Sequence, residues 1–337
     1  MPLLYAGIDE AGYGPMLGPL CVALSAFRVE DWTPGDPAPN LWSTLRSAVC
    51  RSGSDKKRRI PVADSKALKL ANDAKTRHPL THLERGVLCF LAAAQGIPGC
   101  DEELHGLLGA DLEPAPWYAG DRLPLPVSCT LESLATSANP LRRALDRGRV
   151  SVAAMRCVAM GEASFNRIVE RNGSKAATTG AAIVRHLRTV HALALAADPD
   201  TEVRIVCDRQ GGRADYAYLI EAAWPGAAVE VHQQSPEVSR YSVRPAGDPP
   251  ERPPIGLLFL CEAEDRHLPV ALASMTAKFV RELAMARFNR YWSARATAAG
   301  LEALRPTAGY TQDARRWLQD AAPLLTEAER RAMVRLA

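Results

Sequence analysis

The stretch Gly7-Ile8-Asp9-Glu10-Ala11-Gly12-Tyr13-Gly14-Pro15-Met16-Leu17-Gly18-Pro19-Leu20 decides how the chain folds. An apolar run over residues 3–6 feeds it and another over 20–27 leaves it. That pattern predicts a buried strand, a Gly/Pro-rich turn and a second strand. Two adjacent acids close the first strand. Side chains alternate along a strand, so Asp9 and Glu10 leave on opposite faces unless the strand ends there. At a strand end beside Gly12 both can swing toward one site. Gly12 and Gly14 have no Cβ, which lets another backbone come close. A tight hairpin with solvated acids accounts for the same residues.

Composition bounds the rest. The chain has 337 residues, 47% of them hydrophobic, enough for one large or two modest domains with a sizeable core. Lys plus Arg number 41 against 38 Asp plus Glu, a net charge of +3. That balance does not single out a polyanionic partner, and it leaves room for a local basic groove. No apolar stretch reaches membrane-spanning length and no secretory leader is visible, so a membrane role is not expected. The eight cysteines include no C-x-x-C pair, and several lie in apolar runs. They read as thiols of a reducing, cytoplasmic setting rather than disulfides or a zinc site. The seven histidines are scattered, so any metal is expected to be held by carboxylates, which favours Mg²⁺ or Mn²⁺.

Outward from the opening stretch, residues 31–40 read as a loop, 41–50 as a short helix and 51–59 as a basic connector. Asp64 or Ser65 is placed to cap the helix that follows, and Lys66 beside a helix N-terminus makes a natural phosphate site. Residues 80–95 are helical. Residues 96–149 read as an insertion with helix near 131–147. Residues 150–160 form a strand, 163–197 a long helical region, and 201–207 a strand closed by Asp208 and the run Arg209-Gln210-Gly211-Gly212-Arg213. An acid at the C-terminal end of a strand lies at the ligand-facing edge of an open α/β sheet, though a helix cap on a surface turn explains it equally. Residues 218–225 end a helix, 228–232 form a strand, and 235–254 make a polar, Pro-rich excursion whose Arg240 and Tyr241 suit either base stacking or an exposed hairpin. A short strand follows at 255–261. From Pro269 a long helix carries Ser274, Lys278 and Arg281 at i, i+4 and i+7 on one face, with Glu282 beside them. The chain closes in an Arg-rich helical tail.

Taken in order, these segments resemble the type 2 ribonucleases H, the ribonuclease HII and HIII family. The resemblance lies in Asp9-Glu10-Ala11-Gly12-x-Gly14-Pro15-x-x-Gly18-Pro19, in Asp64-Ser65-Lys66-x-Leu68, in the strand-ending Asp208, in Ala273-Ser274-x-x-Ala277-Lys278-x-x-Arg281-Glu282-x-x-Met285, and in Gly309-Tyr310. It implies an α/β, ribonuclease H-like fold: a mixed central sheet flanked by helices over residues 1–305, with the insertion at 96–149 and the excursion at 235–254, then a helical tail over 306–337. It also implies an endoribonuclease that hydrolyses the RNA strand of RNA–DNA hybrids with two Mg²⁺ or Mn²⁺ ions, leaving 5′-phosphate and 3′-hydroxyl ends, with no obligate protein partner. The implied metal-holding, catalytic residues are Asp9, Glu10, Asp208 and Glu282. The implied substrate contacts are Gly12, Tyr13, Gly14, Ser65, Lys66, Lys278 and Tyr310. The family usually has Asp where this chain has Glu282, which bears on metal preference. It usually has Arg or Lys where this chain has Tyr13, which points to continuous hybrids over single embedded ribonucleotides. Two other classes remain open: a metal nuclease of the same fold acting on DNA, and a hybrid-binding module without turnover.

Overall fold

The computed structural model describes residues 1–209, 211 and 213–336. Gln210 and Gly212, which belong to the run after Asp208, lie outside the described residues, as does Ala337. The strands in chain order are β1 (Leu3–Ala11), β2 (Leu20–Val29), β3 (Val49–Cys50), β4 (Ile60–Pro61), β5 (Val150–Met160), β6 (Glu202–Asp208), β7 (Ala228–Gln234), β8 (Val238–Arg244) and β9 (Ile255–Leu260). The helices are α1 (Leu41–Thr44), α2 (Ser65–Leu68), α3 (Thr81–Ala94), α4 (Asp101–Leu108), α5 (Leu131–Gly148), α6 (Glu162–Asn172), α7 (Ala176–Leu195), α8 (Ala217–Ala223), α9 (Leu268–Ala298), α10 (Thr311–Asp320) and α11 (Glu327–Met333).

The main sheet runs β5-β2-β1-β6-β9-β8-β7, while β3 and β4 form a small parallel pair. β1 pairs antiparallel with β2, and β2 with β5. β1, β6 and β9 are parallel neighbours, and β8 and β7 close the other side antiparallel. The expected mixed α/β sheet flanked by helices is therefore present. Its centre is apolar on both faces, which is why β1 and β2 read as unbroken hydrophobic runs. On one face Leu3, Tyr5, Ala23 and Phe27 pack against α3, α5 and α9. On the other, Leu4, Ala6, Ile8 and Val22 pack against α7 and α8.

Gly7 sets the distance between sheet and α9. A Cβ there would lie 2.2 Å from the amide nitrogen of Val270, so no larger residue leaves room for the helix. Ser25, which pairs with Gly7 across the β1–β2 ladder, donates its hydroxyl to the carbonyl of Pro269 at 2.6 Å and pins the same contact.

Several local expectations change. The helix expected over 41–50 is one turn, and its end becomes β3. The helical region at 163–197 is two helices, broken where Gly173 takes a left-handed φ of +61°. The excursion at 235–254 contains β8, an interior strand between β9 and β7. Its Tyr241 and Val243 are buried beside Phe259 while Arg240 and Ser242 alternate outward. The tail does not stand apart from the body. Trp317 and Met333 share a hydrophobic cluster with Leu17, Trp117, Phe288 and Trp292. Among the described residues no helix is long and apolar enough to cross a membrane.

Candidate active site

The parallel register brings the acids together. Ile8 of β1 pairs with Cys207 of β6, so Asp9 and Asp208, each one residue further on, stand side by side at the C-terminal ends of adjacent strands. Asp208 in turn pairs with Leu260, the last residue of β9. Four residues beyond Leu260, on the single 3₁₀ turn Ala263–Asp265, comes Glu264. Three neighbouring parallel strands thus deliver Asp9, Glu10, Asp208 and Glu264 to one edge, where open α/β sheets bind their ligands.

Their electrostatics record the crowding. Asp9 is buried, and burial first, then the charges of Glu10, Asp208 and Glu264, raise its pKa well above the usual carboxylate range. Burial and the Asp208 charge push Glu10 up to about 7, against the relief offered by Lys66. Burial also raises Asp208, opposed by the amides of Ala263 and Arg209 and by Lys66. Glu264 is lifted to about 7, by burial and then by Asp208 and Asp64. The carboxyls of Asp208 and Glu264 hydrogen-bond each other, an arrangement that holds a proton on Glu264.

Some acceptor capacity is already committed. Glu10 donates its amide to Asp9 Oδ1 at 2.6 Å, and Ala263 donates its amide to Asp208 Oδ1 at 3.1 Å. Asp9 also accepts from Ser274, whose hydroxyl oxygen lies 3.0 Å from that of Ser65. Glu264 Oε2 is buried without a hydrogen-bond partner among the described residues. Among the described residues no group of three or more His, Cys, Asp or Glu side chains stands close enough together, as placed, to hold a metal ion. The four acids nonetheless offer an all-oxygen donor set that includes the unpartnered Glu264 Oε2, a chemistry that fits a hard divalent cation.

Glu282 falls elsewhere. It lies eight residues beyond Ser274 on α9, about 12 Å along the axis at 1.5 Å per residue. There it pairs with Lys278 at 2.7 Å and faces Lys69 at 3.9 Å. Helical spacing placed it on the correct helix, but one face of a helix this long spans more than one site. Glu264 escaped sequence reasoning because it sits in the acidic run Glu262-Ala263-Glu264-Asp265, which reads as solvated. The signal that could have found it is an acid a few residues past the end of a third apolar strand.

The expected substrate contacts also separate. Lys66 is exposed, and its charge acts on Glu10 and Asp208. Ser65 is buried, its hydroxyl 3.0 Å from that of Ser274. Lys278 is largely buried against Glu282, 5.6 Å from the ring centroid of Tyr310. Tyr13 and Tyr310 are exposed, and Lys175 stands 5.4 Å from the Tyr13 ring centroid. Gly12 has a φ of +91°, and a Cβ would lie 2.7 Å from the Pro19 carbonyl oxygen, so its glycine serves the chain's own packing. At Gly14 a Cβ would meet nothing within 4 Å, leaving that backbone open to an approaching ligand.

The raised acids fix a pH response. Glu10 and Glu264 keep their protons to about pH 7 when folded but release them near 4.5 when unfolded. Their stabilising contribution is therefore complete below the unfolded value and lost as pH rises through about 7. The buried His186 and His267 act oppositely. Their pKa values fall from 6.5 to about 4, so their contribution is present above 6.5 and is lost progressively as pH falls from there through about 4. Above pH 6.5 the carboxyls govern. In EDTA the melting temperature is expected to fall by several degrees between about pH 6.5 and 8, and 5 mM Mg²⁺ to restore it (differential scanning fluorimetry). Glu264→Gln should flatten the slope; a melting temperature that rises over this window contradicts the crowded cluster.

No family model matches the sequence, and no curated protein matches it. The chain is similar to ribonuclease HII of the PCNA:RNase HII complex from Archaeoglobus fulgidus, at 15% identity and a TM-score of 0.38 over 99% of this chain and 94% of that one. It is similar to ribonuclease H2 from Pyrococcus horikoshii OT3, at 12% identity and a TM-score of 0.37 over 95% and 98%. It is likewise similar to Bst-RNase HIII in complex with Mn²⁺, at 15% identity and a TM-score of 0.37 over 99% of this chain and 66% of that chain.

Proposed function

We propose that the chain is a metal-dependent endoribonuclease acting on the RNA strand of RNA–DNA hybrids. The observation that carries this is the convergence of Asp9, Glu10, Asp208 and Glu264 on one sheet edge, mutually repulsive when ionised. These four would hold two Mg²⁺ or Mn²⁺ ions, Asp9 among them. Bound there, the ions would lower the pKa of an attacking water and stabilise the departing 3′-oxygen, leaving 5′-phosphate and 3′-hydroxyl ends.

The chain's own residues do the remainder. The chain Ser65–Ser274–Asp9 orients the buried carboxylate from the α9 side. Lys66 offers a mobile cation for a phosphate next to the cleaved bond. The exposed backbone at Tyr13 and Gly14 is the part of the turn able to reach a sugar edge, and the 2′-hydroxyl is the group that distinguishes RNA from DNA there. The exposed Tyr310 ring offers a stacking surface beside it.

A substrate panel tests the proposal: continuous RNA–DNA hybrid, duplex DNA with one ribonucleotide, duplex RNA, and duplex and single-stranded DNA, each with Mg²⁺, Mn²⁺ or EDTA. Cleavage confined to ribonucleotide-containing hybrids and lost in EDTA supports it, with the continuous hybrid expected to be preferred. Cleavage of DNA alone favours the DNA nuclease, and tight hybrid binding without cleavage favours the binding module. Within the turn, Gly12→Ala should destabilise the fold by about 2 kcal/mol through its positive φ and backbone overlap. Gly14→Ala should change stability by less than about 0.5 kcal/mol. It should weaken hybrid binding roughly tenfold by obstructing the ligand's approach, measured by fluorescence anisotropy in Ca²⁺. Unchanged binding by Gly14→Ala removes that backbone from the interface.

A further inference from the structure

The turn over residues 12–19 is held almost wholly by groups distant in the chain. Arg281 donates to the carbonyls of Pro19 at 2.6 Å and Leu17 at 3.0 Å. The amides of Met16 and Leu17 donate to the carbonyl of Gly309 at 2.8 and 3.2 Å. Glu162 accepts the amide of Gly18 at 3.1 Å and the hydroxyl of Tyr118 at 2.7 Å, joining the 96–149 insertion to the turn.

From the opposite side comes Arg335. Its guanidinium donates to the carbonyl of Tyr13 at 2.8 Å and of Gly18 at 3.4 Å, and its own amide donates to the carbonyl of Met16 at 2.9 Å. It therefore grips both ends and the middle of the turn. Arg335 is only 3% exposed and lies 4.1 Å from the ring centroid of Phe165, and its Nε is buried without a partner among the described residues. Among the described residues it makes no salt bridge; its ligands are carbonyls. A buried guanidinium without a bonded carboxylate is costly. That cost is offset only if the turn and the tail stay in this arrangement.

The tail is fastened on both sides of Arg335 by one residue. Asn166 of α6 donates its side-chain amide to the carbonyl of Val334 at 2.9 Å, and its oxygen accepts the amide of Leu336 at 2.8 Å. Arg335 is thus presented to the turn by a dedicated clamp rather than by chance contact of a terminal segment.

We propose that Arg335 is a positioning residue for nucleic-acid recognition: by gripping the carbonyls of Tyr13, Met16 and Gly18 it sets the pose of the exposed Tyr13–Gly14 backbone, with Asn166 holding it in place. This rests on the nuclease proposal for what the turn contacts, but the grip itself is a separate claim with its own readout. Arg335 bonds carbonyls of the turn and none of the four acids, so its loss should act on binding and leave the acid cluster alone.

The experiment compares wild type, Arg335→Ala, Arg335→Lys and Asn166→Ala. Hydrogen–deuterium exchange of the peptide spanning residues 12–20 reads the grip without any substrate. Steady-state cleavage of the hybrid over a Mg²⁺ series reads its consequence. In Arg335→Ala, exchange of that peptide should accelerate at least tenfold with α9 unchanged. KM for the hybrid should rise roughly tenfold, kcat should stay within about twofold, and the Mg²⁺ dependence should not move. Arg335→Lys should recover part of the KM loss, and Asn166→Ala, which touches no turn atom, should give a smaller change in the same direction. Unchanged exchange in a folded Arg335→Ala overturns the grip. Faster exchange with unchanged KM overturns its role in recognition, and a fall in kcat with a shifted Mg²⁺ dependence overturns the assignment to binding. If wild type cleaves nothing, the nuclease proposal fails, while exchange still decides the grip.

Discussion

Asp208→Asn is expected to lower hybrid cleavage roughly a thousandfold or more while leaving hybrid affinity in Ca²⁺ within a fewfold of wild type. The asparagine oxygen can still accept the Ala263 amide, so the strand end keeps its geometry and only the charge is lost. Removing one of four crowded negative charges should also raise the melting temperature of the EDTA-treated protein, because Asp208 is among the causes that raise the pKa of Asp9, Glu10 and Glu264. Loss of activity with increased metal-free stability is a combination that a folding defect cannot produce. Cleavage within tenfold of wild type would take Asp208 out of the chemistry.

The comparison of Glu264→Gln with Glu282→Gln carries the second large effect. Glu264 couples to Asp208 at the strand ends, whereas Glu282 is matched by Lys278 and Lys69. Glu264→Gln is therefore expected to cost roughly a hundredfold or more in kcat. Glu282→Gln should leave kcat within tenfold and instead lower stability by about 1 kcal/mol, through the cations left unmatched. Reversal of that order would falsify the placement of Glu264 as the fourth acid and return the role to Glu282.

These residues also show how far the sequence alone could reach. The β1–turn–β2 unit was legible because an apolar run, two acids and a Gly/Pro turn are local features. Asp208 was legible for the same reason. Glu264 was not, since what recruits it is the parallel pairing of β9 with β6, a long-range fact that periodicity does not record. β8 was hidden because the prolines at 245–254 coloured the whole segment, although Tyr241 and Val243 already carried a two-residue period. Gly12 and Gly14 looked equivalent in sequence; their different surroundings, one against Pro19 and Arg281 and one open, appear only in three dimensions.

The contact of α9 with Gly7 has a consequence for the timing of synthesis. Residue 7 leaves the ribosome long before residues 269 and 270, yet β1 rests directly against them. Until that helix emerges, the face of β1 bearing Tyr5 and Asp9 lacks its cover, and β9 with Glu264 has only just been made. Contacts at such sequence separation form late and slow the search for the native state. A nascent chain would therefore complete its acid cluster only after residues 264–270 have emerged, so shorter nascent chains carry Asp9 and Glu10 without their later partners.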